Sequence, residues 1–242
     1  MKAPLFFPDL SERHYEKELM DSVNADPKKL YRTIKQFDLI NRLFSAGVRL
    51  FRRHLLPQML KDKARVWTLL DFGSGGGDID RALIRLSRRK GLKLRITALD
   101  VDPRVLPWAR QLCRNYPEIT PVHGSVFEID EGETWDFVMS NHTLHHFDWD
   151  NVIAAVFEAL KRARVGILLN DLARSPWGYL GYTIFTGLLL HRSFAFHDGR
   201  LSIRRGFTLR EFQEILGPLS DRLVFGTAHP SRVWVATGPM LP

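Results

Sequence analysis

The sequence predicts an α/β fold built on a doubly wound, mostly parallel sheet. Three observations predict it. Val66–Asp80 reads VWTLLDFGSGGGDID: a buried strand, a glycine turn and the start of a helix in immediate succession. From Val66 to residue 170, strand-like and helix-like stretches then alternate, as right-handed parallel crossovers require. The polar strand tips Asp71, Asp100 and Ser140–Asn141 all follow apolar runs, which sets them on one edge of such a sheet, where α/β proteins bind ligands.

Taken in order, residues 1–25 read as loosely structured, with Pro4 and Pro8. Asp26-Pro27 opens a helix, and the chain is expected to continue helically through Phe37–Leu56. Phe37, Ile40, Phe44, Val48, Phe51 and Leu55 are spaced 3, 4, 4, 3 and 4 apart, a single stripe. Residues 1–65 thus form an N-terminal helical cap, with Lys61–Arg65 the link into a second unit, 66–242. That unit reads as strand 66–72, helix 78–89, strand 94–100, helix 103–115, a short strand 119–123, strand 135–140, helix 149–162 and strand 164–170. Residues 172–207 interrupt the alternation. Trp177–Leu190 is the most apolar run, and His191–Arg205 has no clear period and reads as a mobile loop. Thr208-Leu209-Arg210-Glu211 is a capping box for a last helix. The stretches 221–227 and 231–237 follow as a strand pair closed by Ala228-His229-Pro230-Ser231.

Composition bounds the function. With 242 residues and 45% hydrophobic content, the chain can bury a large core. Its one cysteine, Cys113, excludes an intrachain disulfide and a cysteine zinc site. No basic region with a following apolar run opens the chain, and no stretch of 18 apolar residues exists, so neither a signal peptide nor a membrane span is expected. A cytoplasmic location is the default. The net charge of +8 is open to two readings, an RNA partner or arginine-rich helix faces.

The glycine turn narrows the chemistry. Gly73, Gly75 and Gly77 permit positive φ in a tight turn and leave no Cβ against a ligand. The dinucleotide fingerprint requires Gly or Ala where Asp78 stands, and no Lys-Ser/Thr follows for a P-loop. Asp71-x-Gly73-x-Gly75-x-Gly77 instead resembles the first motif of class I S-adenosylmethionine-dependent methyltransferases. The resemblance covers roughly residues 66–237. It implies a Rossmann-like sheet ending in an antiparallel hairpin, and S-adenosyl-L-methionine as cofactor. It also implies a cap packed over the cofactor mouth and a substrate-covering insertion at 172–207. Cofactor binding is expected at Asp71, Gly73, Ser74, Gly75, Gly77, Asp100, Val101, Ser125, Val126 and Asn141. Asp100, 23 positions beyond Gly77, is suited to accept from two vicinal ribose hydroxyls; as a plain turn residue it would only start the next helix. Relatives commonly carry an aspartate where this chain has Ser125. Arg42 is either a partner for the methionine carboxylate or a solvated arginine.

The fourth strand runs into Asn141-His142-Thr143-Leu144-His145-His146. Amine-methylating relatives often carry Asn-Pro-Pro-Tyr here, so an exocyclic amine is disfavoured as acceptor. The Leu-His-His run resembles small-molecule enzymes of quinone and polyketide biosynthesis. Methyl transfer from a sulfonium needs in-line alignment, and a hydroxyl nucleophile gains from a histidine base. His142 and His145 are the expected catalytic residues; either could equally cap the turn. Asp171 could orient a histidine, bind substrate or cap a helix. The expected activity is O-methylation of a small, hydrophobic aromatic acceptor, with nucleic acid disfavoured. An RNA methyltransferase and a non-catalytic cofactor-binding relative are the alternatives. No metal is called for, and the oligomeric state is open.

Overall fold

The computed structural model describes residues 8–238; Pro4 and the rest of 1–7, with 239–242, lie outside the described residues. Residues 8–25 contain one short turn, Leu19–Asp21. They are laid against the body, with Arg13 and Glu18 buried. Helix α1 is Pro27–Phe44, started by Asp26, whose carboxylate accepts from Lys28 N at 2.8 Å and Lys29 N at 3.2 Å.

The expected unbroken helix to Leu56 is not formed. The backbone at Ala46 turns to a φ of 60°, and the chain restarts as α2 (Gly47–His54) and α3 (Leu56–Met59). The cause is a buried polar junction. Ser45 Oγ accepts from Gly47 N at 3.0 Å and donates to Asn141 Oδ1 at 3.0 Å. A Cβ at Gly47 would lie 2.9 Å from that same oxygen, so only glycine lets α2 start so close to the sheet. The apolar stripe is thereby divided. Phe37, Ile40 and Phe44 pack with Tyr179 and Tyr182, whereas Phe51 and Leu55 join the main core.

The sheet follows. Strand β1 is Val66–Phe72, then α4 (Asp78–Arg89), β2 (Lys93–Asp100), α5 (Leu106–Cys113), β3 (Ile119–His123), β4 (Trp135–Asn141), α6 (Trp149–Arg162) and β5 (Ala163–Leu172). Helix α5 is shorter than expected because Asp102 accepts from Arg104 N at 2.9 Å, holding 102–104 in a turn. Two helices intervene, α7 (Pro176–Leu189) and α8 (Ala195–Arg205), before α9 (Leu209–Leu216), β6 (Leu223–Ala228) and β7 (Arg232–Thr237). The strand order is β3-β2-β1-β4-β5-β7-β6. The first five strands are parallel, and β7 is antiparallel to both β5 and β6. This is the expected Rossmann-like sheet with its closing hairpin. The order of strand addition reverses between the parallel neighbours β1 and β4, which opens a crevice at their C-terminal ends.

Side-chain alternation builds a core on each face. On β4, Phe137 and Met139 pack with Phe51 and Leu83, while Val138 faces Val156 and Phe212. The expected loop 191–205 is largely helix α8. Half of its buried residues are polar, Asp198, Ser202 and Arg205 beside Ala195, Leu201 and Ile203. Those polar groups bond the N-terminal segment: Asp198 accepts from Leu19 N at 3.0 Å and Met20 N at 2.9 Å. A helix buried through polar groups shows no apolar period.

Candidate active site

A cavity of about 1060 Å³ lies across the C-terminal ends of β1, β2 and β4. One drug-sized ligand needs about 300–1,000 Å³, so this volume has room for a second. Gly73, Ser74, Gly75, Asp71, Asp100, Val101, Ser125, Val126 and Asn141 all line it. Gly73 N and Ser74 N donate to Leu99 O at 2.8 and 3.1 Å, which folds the turn back over β2. Gly75 has a φ of +54°, and a Cβ there would meet no atom within 4 Å, so its backbone is bare toward the cavity. The Asp100 carboxylate accepts from Gly75 N at 2.8 Å and Asp102 N at 2.9 Å. Ser125 accepts from Phe127 N, capping the short turn that carries buried Val126. Gly77 is placed differently from expectation. It is off the cavity, and a Cβ there would press on Cys113 Sγ at 2.7 Å, so this glycine serves helix packing. Asn141 Oδ1 is taken by Ser45 Oγ and by Asn170 Nδ2 at 2.6 Å, so this side chain also ties α1 to the sheet edge. The bare Gly75 backbone with a carboxylate at the next strand tip fits a nucleoside cofactor.

Carboxylates crowd the glycine turn. Burial raises Asp71 well above the usual carboxylate range, and the like charge of Asp80 adds to it. Asp71 Oδ1 has no hydrogen-bond partner. Asp78, at the start of α4, lines the cavity and accepts from Asn41 Nδ2 at 3.0 Å. Burial pushes it up to about 6. Such a set of uncompensated acids suits a ligand carrying positive charge, as the ammonium and sulfonium of S-adenosylmethionine do. Sequence reasoning missed Asp78 and Asn41; Asp78 was legible as the acidic first residue of a helix beside a glycine turn.

The two histidines of interest have opposite environments. His142 ends β4 with a φ of 65°, its N donating to Asn170 O at 2.9 Å. Positive φ at a non-glycine residue stores strain and clusters at functional sites. Its ring lines the cavity, and Nε2 has no partner. Burial, with Arg232 nearby, holds His142 well below the usual imidazole range, so it is neutral at physiological pH. His145 has another part. Nδ1 lies 2.7 Å from Asp171 Oδ1, and Nε2 lies 3.6 Å from Glu18. Against the effect of burial, these two carboxylates push His145 up to about 9. Its ring is an imidazolium committed on both sides, which leaves no free lone pair for accepting a proton. Asp171 therefore orients a histidine, one of the three roles expected for it. Glu18, His145 and His146 also offer ligand atoms within 4.8 Å of one another, a set that could hold a divalent cation. Here Ser202 Oγ donates to Glu18 at 2.6 Å, and Asp171 occupies His145.

The far wall comes from α1, α7, α8 and the hairpin. Trp177, Tyr182, Phe44 and Arg232 line it. Phe185 packs edge-on against Phe44 with ring centroids 4.9 Å apart and is not a lining residue. Arg42 is exposed and away from the cavity, which leaves the solvated reading. Arg232, unremarked in the sequence, is 3% exposed.

Residues 69–163 match the family model described as a methyltransferase domain. That segment holds the glycine turn, Asp100, Ser125 and the His142 turn, the residues that carry the resemblance to S-adenosylmethionine-binding proteins. This match identifies a methyltransferase domain within residues 69–163. Solved structures share the fold. The plantazolicin methyltransferase BpumL, in complex with S-adenosylhomocysteine, is 14% identical with a TM-score of 0.63, covering 91% of this chain and 94% of its own. The O-methyltransferase NcsB1 of neocarzinostatin biosynthesis was solved with S-adenosylmethionine and 2-hydroxy-5-methyl naphthoic acid. It is 17% identical with a TM-score of 0.58, covering 94% of this chain and 62% of its own. The CMeT domain of the citrinin polyketide synthase is 17% identical with a TM-score of 0.56 over 77% of this chain, which spans about half of that structure's length (51%). No curated protein matches the sequence significantly. Among the described residues, no helix is long and apolar enough to cross a membrane.

Proposed function

We propose that the protein methylates an oxygen of a small, apolar aromatic acceptor. The observation that carries this reading is the continuity of one cavity from the glycine turn, past His142, to the apolar wall of Phe44, Trp177 and Tyr182. When bound, S-adenosylmethionine supplies an electrophilic methyl group. Gly73–Gly75 would hold its methionine end, Asp100 its ribose, and Ser125–Val126 its adenine. His142 accepts the acceptor's hydroxyl proton on its neutral imidazole, and the aromatic wall excludes water and orients the acceptor's ring. His145 is a positioning residue that fixes the turn carrying His142. NcsB1, with its hydroxynaphthoic acid, is an O-methyltransferase of this fold acting beside an aromatic acid, and that likeness supports the acceptor class. The lone buried cysteine is compatible with a reducing cytoplasm.

Replacing His142 with Ala should lower turnover on the order of a hundredfold and leave S-adenosylhomocysteine affinity nearly unchanged. A crystal structure of the ternary complex in which His142 faces away from the acceptor oxygen would count against this assignment, as would full activity of the variant. Identification of the methylated atom by NMR of the product separates oxygen from carbon as the acceptor.

A further inference from the structure

Arg232 is the first residue of β7 and pairs with Leu172 at the end of β5. Its side chain lines the cavity and is 3% exposed. Nε donates to Phe44 O, and Nη1 has no hydrogen-bond partner. Among the described residues, no carboxylate lies within ion-pair distance of it, and whereas buried Arg13, Arg81, Arg162 and Arg205 each bond through two or more guanidinium nitrogens, Arg232 bonds through Nε alone. The carboxylate that does influence Arg232 is Asp171. That group is saturated by His145 Nδ1 at 2.7 Å, His145 N at 3.1 Å and Leu172 N at 2.6 Å. A buried cation left without a counter-charge is strongly unfavourable. Chains keep such a group where a ligand completes it.

The position of this charge indicates the ligand. Arg232 bonds Phe44 and lines the cavity with Tyr182, so it stands on the wall proposed to face the acceptor. Its surroundings, Phe44, Leu172 and Tyr182, are apolar or aromatic. His142 and Arg232 both line one chamber, and each keeps a buried ring or guanidinium nitrogen without a hydrogen-bond partner. We propose that Arg232 is a specificity-determining residue that receives a carboxylate of the acceptor, so the acceptor is an aromatic hydroxy acid. Its hydroxyl meets His142 and its carboxylate meets Arg232. The inference rests on the acceptor lying in this chamber and deepens that reading by naming the charge of the acceptor.

The test compares 3-hydroxy-2-naphthoic acid with its neutral carboxamide, binding to the full-length protein saturated with S-adenosylhomocysteine, by calorimetry. The acid should bind about tenfold or more tightly than the amide, the effect of a hydrogen-bonded charge pair. Arg232→Gln should erase that preference, Arg232→Lys should keep part of it, and both should retain S-adenosylhomocysteine affinity. No acid preference in the unaltered protein overturns the proposal without needing a variant to fold. Loss of S-adenosylhomocysteine affinity in Arg232→Gln, with the acid preference intact, also overturns it and assigns the guanidinium to the cofactor's carboxylate. Acid preference without methylation of any hydroxy acid would instead sink the O-methylation reading and leave the anion site standing.

Discussion

A Cβ placed on Gly75 would point into the cavity and touch nothing within 4 Å. Gly75→Val should therefore fold, with some backbone strain at φ +54°, yet lose S-adenosylhomocysteine binding, because its side chain would fill the cofactor's backbone contact. Calorimetry with wild-type affinity in that variant would remove the glycine turn from the cofactor site. Asp78 gives a pH prediction. Its folded value of about 6 is raised from 3.8 by burial, so its contribution to stability is present at low pH and is lost as pH rises through 6. The ionised form is the one that attracts a cation. Cofactor affinity should thus rise as pH passes through about 6, and Asp78→Asn should flatten that rise; an unaltered titration would exclude Asp78 from the site. Legibility at this scale follows backbone rules. Gly73, Gly75 and Asp100 could be placed from the sequence because turn geometry dictates both residue type and spacing. Arg232 and Glu18 could not, because their roles depend on what lies opposite them in space.

At the scale of elements, the His142–His146 turn is gripped by segments distant in sequence. Arg13 Nε donates to Arg205 O at 2.7 Å, and its Nη2 donates to His145 O at 3.0 Å and Phe147 O at 2.6 Å. Arg205 Nε donates to His145 O at 3.0 Å. Glu18 completes the cage around His145. The stabilising charge of His145, raised from 6.5 to about 9, is fully present below pH 6.5 and lost as pH rises through 9. Glu18 and Asp171 are held below their usual range, where the pull of the histidines outweighs burial, so their contribution is lost only in acid. Denaturant unfolding should show His145→Gln less stable than the parent by on the order of 3 kcal/mol near pH 6, a gap that closes as pH approaches 9. A gap independent of pH would mean that packing alone holds the turn. This cage explains two sequence-based misreadings. The N-terminal segment looked loose and 191–205 looked like a loop because each buries polar groups against the other. The capping box at Thr208, by contrast, was readable because Thr208 and Glu211 satisfy each other locally, and the alternating strands were readable because each face of the sheet has its own apolar layer.

Over the whole molecule, the net charge of +8 does not distinguish the arginines that are structural. Arg13, Arg81, Arg162, Arg205 and Arg232 are all buried, and four of them fasten loops and caps through hydrogen bonds. Glu18, Asp71, Asp80, Asp136, Asp171 and Asp198 are buried as well, so the positive excess lies on the surface, where it supports only non-specific attraction. RNA binding should be weak and without sequence preference, with log affinity falling linearly against log salt. Filter binding that finds tight, selective association at physiological salt would restore the RNA reading.

The cavity draws its two halves from different parts of the chain. Strand tips between Asp71 and His146 form one half, and these are fixed by the register of the sheet. The N-terminal segment, α1, α7, α8 and the hairpin turn form the other, and none of their cavity-facing side chains is needed to hold two strands together. Selection can then act on the halves separately. Exchanges at Phe44, Trp177 or Tyr182 would alter which acceptors are taken without disturbing donor use, so a lineage carrying this chain can diversify its products while its methyl source stays constant.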